Sequence, residues 1–418
     1  MSRNREAATG MTAAQWTLLA MLIASIFLNY IDRSNLSLAV PSIEHEFSLS
    51  PIQTGRMLGA FFWTYALLQL FGIAGWFADR FSVSLILGAG LFLWSVATVM
   101  TGFAATLSGI IAARLLLGAG ESVAYPCYSR IFASDIPAHS RGKANALLDA
   151  GSKLGPAVGT ALGGFLLTQF GWRNLFIVLG VAGILWLVPW FQWSSRAGAS
   201  CAAPSGLCPG FQQILRQRSA WGTFLGHFCG NYFWFFLLTW LPDYLVKERG
   251  FTMGVTVRIT SLAFLTIATA TLIAGWVSDR LIAAGISQTR VRKSVVVCGL
   301  AFSTVILPVA VVHNQTIAVT LLLLSCASFG TFTSNHWAIT QTLAGPLAAG
   351  RWTSLQNGIG NLSGVAASWL TGFVVEHTLS FAMAFVVAAV IVLAGALLWG
   401  LAVGPVQQVQ WAERELVV

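Results

Sequence analysis

No Asp, Glu, Lys or Arg occurs from Ser294 to Gly350, and none from His377 to Ala412. Roughly a quarter of the residues in a soluble domain are charged. This chain of 418 residues is 9% charged and 56% hydrophobic. No water-soluble fold could shelter so many uncharged helices. Such segments belong in lipid, where a spanning helix needs roughly 20 apolar residues. The fold class that follows is an all-α membrane protein.

On that length the expected spans lie near 16–40, 57–77, 83–103, 107–132, 144–170 and 174–193, then near 220–245, 259–283, 294–313, 315–344, 354–376 and 379–403. A polar, Arg-bearing tail precedes the first span and no small-residue cleavage site follows it, so it reads as a retained helix and not a signal peptide. The polar interval 194–219, with Arg196, Arg216 and Arg218, separates six spans from six. The expected architecture is therefore twelve transmembrane helices in two pseudo-symmetric six-helix bundles. They occupy residues 1–193 and 220–418, joined by a linker at 194–219. Short loops elsewhere make neighbouring spans antiparallel.

A repeat supports the division. Gly75-Trp76-x-x-Asp79-Arg80 recurs as Gly275-Trp276-x-x-Asp279-Arg280, each time after a long apolar run. A charged hairpin repeated at half the chain length marks a duplicated bundle, and such bundles usually carry solutes. With a cytoplasmic N-terminus, 15 of the 23 basic residues fall on the cytoplasmic side, 5 on the opposite side and the other 3 inside spans. The bias places both termini in the cytoplasm, and the expected setting of this multi-pass protein is a bacterial inner membrane. The net charge of +9 is mostly this topological signal, so no nucleic-acid partner is expected. The six cysteines match no zinc spacing. No cofactor and no metal site is expected, and the chain reads as a monomer in a lipid bilayer.

Charges inside spans are the candidate functional groups: Asp32, Arg33, Arg114, Glu121 and Lys153. A charge near the bilayer centre costs about 2.5–3.5 kcal/mol on insertion scales. Five of them imply an aqueous cavity lined by paired groups. Helical rise places Arg33 about 25 Å along the first span and Arg114 about 10 Å from the far edge of the fourth. The two arginines can thus converge on one site, and guanidinium pairs bidentately with a carboxylate. Asp32 and Arg33 are adjacent and point about 100° apart, so they serve different targets. Arg114 and Glu121 are two turns apart and do not pair directly. Glu121 lies between opposing effects of burial and neighbouring arginines, which suits a group that takes up and releases protons.

Tyr30 and Tyr65 are placed to offer hydroxyls to the cavity. In the second half, His227 with Asn231 and Trp337 with Gln341 share helix faces, and Gln356 and Asn357 head the eleventh span. For any one of these, packing explains the residue as well. Trp16, Trp193, Trp240 and Trp399 lie near span ends and read as interfacial anchors. The glycines Gly151, Gly155, Gly159, Gly163 and Gly164, with Gly358, Gly360 and Gly364, leave bare faces for close helix approach, either fixed or sliding. Asp79-Arg80 and Asp279-Arg280 sit at cytoplasmic span ends, where they would latch neighbouring helices as a gate.

Over essentially its whole length the chain resembles the major facilitator superfamily, with Gly75, Asp79 and Arg80 in the loop motif after the second span. Ser82-Val83-Ser84 departs from the Gly and basic residues that continue the family motif. Within the superfamily it resembles the anion:cation symporters, which include bacterial galactonate, glucarate and hexuronate carriers, sialin and vesicular glutamate transporters. The supporting residues are Asn29-Tyr30-x-Asp32-Arg33, Arg114-x-x-x-Gly118-x-x-Glu121, Gly230-Asn231, Leu238-x-Trp240-x-Pro242 and Gln356-Asn357. The resemblance implies Arg33 and Arg114 as anion-binding residues and Asp32 and Glu121 as protonation sites. It implies Tyr30, Tyr65, Ser334, Trp337 and Asn357 as substrate contacts. His336, where a small hydroxyl residue is expected in galactonate-type carriers, and the additional cation Lys153 tilt the pocket toward a sialic-acid-like or dicarboxylic substrate.

The expected function is proton-coupled symport of a small organic anion by alternating access. An exchanger or a proton-coupled efflux transporter is the alternative, and a solute sensor lacks a soluble domain through which to signal. No nucleophile–base pair, metal-ligand cluster or phosphate loop points to an enzyme.

Overall fold

The computed structural model describes residues 11–136, 141–194 and 208–411, with a two-residue backbone pairing of Cys208–Pro209 against Leu416–Val417. In the first half, α1 is Ala13–Phe47, α2 Pro51–Leu70, α3 Ile73–Arg80, α4 Val83–Phe103, α5 Leu107–Ser122, α6 Ala124–Asp135 and α7 Arg141–Ser194. The short α8 (Phe211–Leu215) leads into α9 (Arg218–Lys247), α10 (Met253–Ala283), α11 (Gln288–Ser303) and α12 (Ile306–Val309). The second half ends with α13 (Gln315–Thr378) and α14 (Ala382–Leu397), and one π turn then covers Leu398–Ala402.

Local sequence sets the helix starts. Thr12 with Gln15 and Ser50 with Gln53 form capping boxes at α1 and α2, satisfying backbone N–H groups that have no intrahelical partner. Pro51 stands at the first turn of α2, where its missing donor costs nothing. Two chain reversals use glycine in the left-handed region: Gly171 (φ 78°) folds α7 into two arms, and Gly345 (φ 64°) does the same in α13. Each long helix is therefore two spans.

Nine helical stretches among the described residues are long and apolar enough to cross a membrane. One of these, Leu147–Trp193, turns back at Gly171 and crosses twice. Helices α2 and α9 complete twelve spans in two bundles. The even number puts the described start of α1 and the end of α14 at one end of the molecule, here called the terminus end. The spans agree with the expected ones in the middle and differ at their tips. α1 continues through Pro41 to Phe47, past the expected end near residue 40, because its last turns are held by partners outside the helix. Trp172 Nε1 donates to Glu46 at 2.8 Å, and Arg173 pairs with the same carboxylate at 2.5 Å.

Three expectations about packing are corrected or sharpened. Trp240 and Trp399 are buried, not interfacial: Trp240 donates to the Ser368 carbonyl at 3.2 Å, and Trp399 lies against Gly226. The bare face of α7 mostly seats α1 within the same bundle. A Cβ at Gly155 would lie 2.8 Å from the Tyr30 Cβ and 3.0 Å from the Phe27 carbonyl oxygen. Only Gly164 of that group meets the other bundle, at Val257 of α10. In α13, by contrast, Gly358 and Gly364 lie against Leu70 and Phe62 of α2, across the seam between bundles.

The two bundles touch closely at the far end. The Ile52 N–H, at the half-buried N-terminal turn of α2, donates to Glu376 of α13 at 2.9 Å, where a carboxylate also complements the helix dipole. A Cβ at Gly372 would lie 2.3 Å from the Pro51 carbonyl. Replacing Gly155 by Leu should overpack the α1–α7 contact and destabilise the fold by about 1–3 kcal/mol. Thermal unfolding in detergent should show a lower midpoint for the variant, whereas Leu at the half-buried Gly75, where a Cβ meets nothing within 4 Å, should leave the midpoint unchanged.

Candidate functional site

The charges expected inside spans gather in two places. Asp32, Arg33, Arg114 and Glu121 form one cluster, all at most 6% exposed. Arg33 Nε and Nη2 both reach Glu121 Oε2 at 2.8 Å, joining α1 to α5. Three rings surround that guanidinium, with Tyr30, Phe61 and Tyr65 centroids at 4.8, 4.7 and 4.7 Å. Arg114 lies 5.1 Å from the same Phe61 ring, so the two arginines flank one aromatic side chain. Arg33 sits nearer the middle of its helix than the sequence estimate placed it, because α1 is longer at both tips. Asp32 points elsewhere, toward Thr98 of α4.

Within this cluster the partners are unequal. Glu121 Oε2 takes both contacts from Arg33, while Glu121 Oε1 is buried with no hydrogen-bond partner. Among the described residues no oxygen accepts a hydrogen bond from Arg114, and its Nε is buried and unsatisfied. Glu121 and Asp32 lie near enough to offset part of its charge, but a buried guanidinium whose N–H groups meet no accepting oxygen is still costly to maintain. A carboxylate seated on it would remove that cost. Tyr65 is buried beside Arg33, and the Tyr30 hydroxyl faces that of Tyr125 at 3.5 Å.

Lys153 belongs to the second place. Together with Asp149, Thr271, Gly275, Asp279 and Ser334 it lines a cavity of about 300 Å³ between α7, α10 and α13, in the half of the molecule nearer the terminus end. Its ammonium is 3.7 Å from Asp149, one helical turn away, and 5.3 Å from the Trp234 ring of the other bundle. Ser334 accepts from Asn335 at 2.7 Å and donates to the Thr331 carbonyl.

His336 stacks on His227 with centroids 4.9 Å apart, and Trp337 closes the group at 4.9 Å from each ring. His336 Nδ1 faces the Thr333 carbonyl at 3.1 Å and His227 Nε2 faces Asn231 at 3.1 Å. The remaining nitrogens, His336 Nε2 and His227 Nδ1, are buried without partners. Asn357 donates to Gln69 of α2 at 2.8 Å, a hydrogen bond between bundles.

At the terminus end, Gly75 is half-buried and the Ala78 carbonyl of the same motif accepts from Arg130 of α6. The side chains of Asp79 and Arg80 lie outside the described residues. In the second copy, Gly275 lines the cavity, Asp279 faces Arg292 of α11, and Arg280 lies 3.9 Å over the Trp276 ring. These contacts stay within one bundle.

Other interacting charges were not among the candidates. Asp149 and Asp243 fall inside the expected spans 144–170 and 220–245, so the rule that selects Asp32 selects them too. Glu44 fell beyond the expected end of α1, and only the folded chain shows its burial.

A twelve-helix, two-bundle membrane protein with cations buried in its first bundle and a cavity between α7, α10 and α13 has the architecture of a carrier. The chain belongs to the Major Facilitator Superfamily, whose family model matches residues 22–368. It is 31% identical to the D-galactonate transporter of Escherichia coli, over 94% of this chain and 96% of that protein. It is 32% identical to the chloroplastic ascorbate transporter of Arabidopsis thaliana, over 93% of this chain and 74% of that one. The probable galactarate/D-glucarate transporter of Bacillus subtilis is 29% identical, with coverage of 97% and 95%. Among solved structures, an inward-facing, unoccupied bacterial homolog of the human lysosomal transporter Spinster superposes with a TM-score of 0.79. That structure is 19% identical, with 94% of this chain and 98% of the other covered, and establishes the shared fold. These relatives are transporters, not enzymes.

Removing one partner of a buried ion pair leaves the other uncompensated, at a cost of about 3–5 kcal/mol. Arg33→Met should therefore lower the unfolding midpoint strongly, and Arg33→Met with Glu121→Gln should recover part of the loss. Equal midpoints for the single and double variants would show that the pair contributes no coupling.

Proposed function

We propose that this protein imports a small organic anion together with protons, by alternating access between bundles 1–193 and 220–418 joined by the linker 194–219. The observation that carries the reading is Arg114, a buried guanidinium with an open hydrogen-bonding face next to Arg33. Guanidinium holds a carboxylate through two parallel hydrogen bonds, which a neutral sugar cannot match. The relatives named for galactonate, galactarate/glucarate and ascorbate support the same substrate class. Sugar acids come first among the substrates to try, with sialic-acid-like and dicarboxylic compounds favoured by Lys153 and His336.

The proton enters the scheme through Glu121. Ionised, it occupies Arg33; protonated, it leaves Arg33 free to join Arg114 on the substrate carboxylate. Asp32 is a second acid in the same cluster. Tyr30 and Tyr65 frame the carboxylate end, while Lys153, Ser334, His336, Trp337 and Asn357 contact the remainder. Departure of substrate lets Glu121 recapture Arg33 once its proton is lost. Gly75, Asp79, Arg80, Gly275, Asp279 and Arg280 form the gate at the terminus end, the side on which the Lys and Arg excess supports a cytoplasmic face; the membrane in this reading is a bacterial inner membrane.

Energetics favour more than one proton per anion. An inside-negative potential opposes entry of a monoanion by about 2.3 kcal/mol per 100 mV. Two protons reverse that sign, and two acidic residues supply them.

Uptake of a panel of labelled acids into proteoliposomes, with an inward proton gradient on or off, tests the proposal. We expect one acid to accumulate only with the gradient. Arg114→Lys should cut its uptake on the order of tenfold or more, since losing one good charge-assisted hydrogen bond is worth at least a decade in affinity. Glu121→Gln should retain counterflow and lose gradient-driven accumulation. Uptake indifferent to both pH gradient and membrane potential would point to exchange instead.

A further inference from the structure

A second cluster of acids, remote from Arg114, lies in the seam between bundles at the far end. Glu44 on α1 and Asp243 on α9 are 7% and 1% exposed. Both contact the Lys247 ammonium: Glu44 through Oε2, and Asp243 through Oδ2 at 3.1 Å. Lys247 itself is 43% exposed, so the two acids are the buried members and the cation is the rim. Thr54 of α2 donates to Glu44 Oε1 at 2.6 Å. Apart from the ammonium, no described donor reaches Glu44 Oε2 or either oxygen of Asp243.

Charge counting defines what such a cluster binds. Two carboxylates and one ammonium leave one negative charge, sealed into a seam with too few donors. Burying a net charge is costly, and two carboxyls at one cation relieve it by holding a proton between them. We propose that Glu44 and Asp243 form a one-proton site that clamps the far end shut. Opening separates α1 from α9, leaving Glu44 with Thr54 and Asp243 with Lys247, each exposed to water. The proton then passes from a carboxyl to water, and no other bond changes. The closed state holds one proton more than the open state, so acid favours closure.

The neighbouring charges are engaged elsewhere or face away. On α1, His45 is exposed and Glu46 is bound by Arg173 and Trp172 of α7. Arg56 of α2 is exposed. On α9, Tyr244 bonds the Val309 carbonyl and Arg249. Just beyond it, Glu248 bonds Ser380 and the Phe381 N–H. From α13, Glu376 bonds the Ile52 N–H and His377 is exposed. None of them supplies the missing charge to the pair.

The test reads the gate itself. Spin labels at Gln169 and Gly254, exposed positions on α7 and α10 that flank the Gly164–Val257 contact, report separation of the far end by double electron–electron resonance. They are introduced into the full-length chain with its native cysteines replaced. Between pH 5 and pH 9 the open-to-closed ratio should rise about tenfold per pH unit around its midpoint, the slope for one linked proton. Asp243→Asn makes the closed cluster neutral without a proton, so it should stay closed across the range. Lys247→Met removes the cation and should move closure to lower pH. A distance distribution that ignores pH in the parent overturns the proposal, as does a slope that survives in folded Asp243→Asn. Glu44→Gln serves the same purpose should Asp243→Asn unfold early. Failure here leaves the import reading standing, and failure of the uptake assay leaves the clamp standing.

Discussion

The cost of a charge away from water organises this molecule. Inside the bilayer every polar side chain must find a partner in the protein or line a wet cavity. Arg33 and Glu121 solve the problem with each other, joining α1 to α5 through one carboxylate oxygen. Arg114 does not solve it, and neither does Glu121 Oε1. A buried site with one ion pair, one carboxylate oxygen left bare and one guanidinium without an accepting oxygen is stable only because the rest of the bundle holds it. Tight glycine contacts between α7 and α1, and aromatic rings around Arg33, supply that support.

The two ends of the molecule use different chemistry. The far end is closed by charge and backbone: Lys247 with Glu44, Glu376 with the start of α2, and Gly55 and Gly372 where α2 and α13 nearly touch. Nearer the terminus end, a cavity separates α7 from α10. Ionic contacts at a rim can be exchanged for water at small cost, whereas interlocked apolar surfaces cannot. The seam joins such polar contacts to the close packing of α2 on α13, so only its polar part is exchanged for water at little cost. Contacts within each bundle are mainly apolar and suited to moving as a unit.

Much of this was legible from residues. Spans, their number and the internal repeat follow from the length of apolar runs and from two copies of one hairpin. Helical rise alone brings Arg33 and Arg114 close, and both flank Phe61. What the chain does not spell out is rotation about helix axes and partnership across long separations. Arg33 choosing Glu121, 88 residues away, depends on how two helices face each other. Glu44 illustrates the same limit: it looks like an exposed acid after a span, and only Lys247 and Thr54 make it a buried one. The tryptophans misled for a related reason. Trp240 and Trp399 are near span ends, but each finds its place inside the second bundle, so interfacial depth did not mean exposure.

One chain of hydrogen bonds connects the buried charges to the seam. The helix that carries Glu121 ends one residue later, at Ser122, so the carbonyl of that residue lies at the helix terminus. Gln69 of α2 donates to that carbonyl at 3.2 Å and accepts from Asn357 of the opposite bundle at 2.8 Å. Asn361, one turn on, donates to both oxygens of Asn357 and fixes its orientation. Any movement that separates α2 from α13 at this level must break the bond between Gln69 and Asn357. Any rearrangement of the turn at Glu121 must move the carbonyl that holds Gln69. The break between α5 and α6 thus has a physical use beyond bending a helix: it exposes one acceptor through which the charge cluster and the opposing bundle share a single side chain.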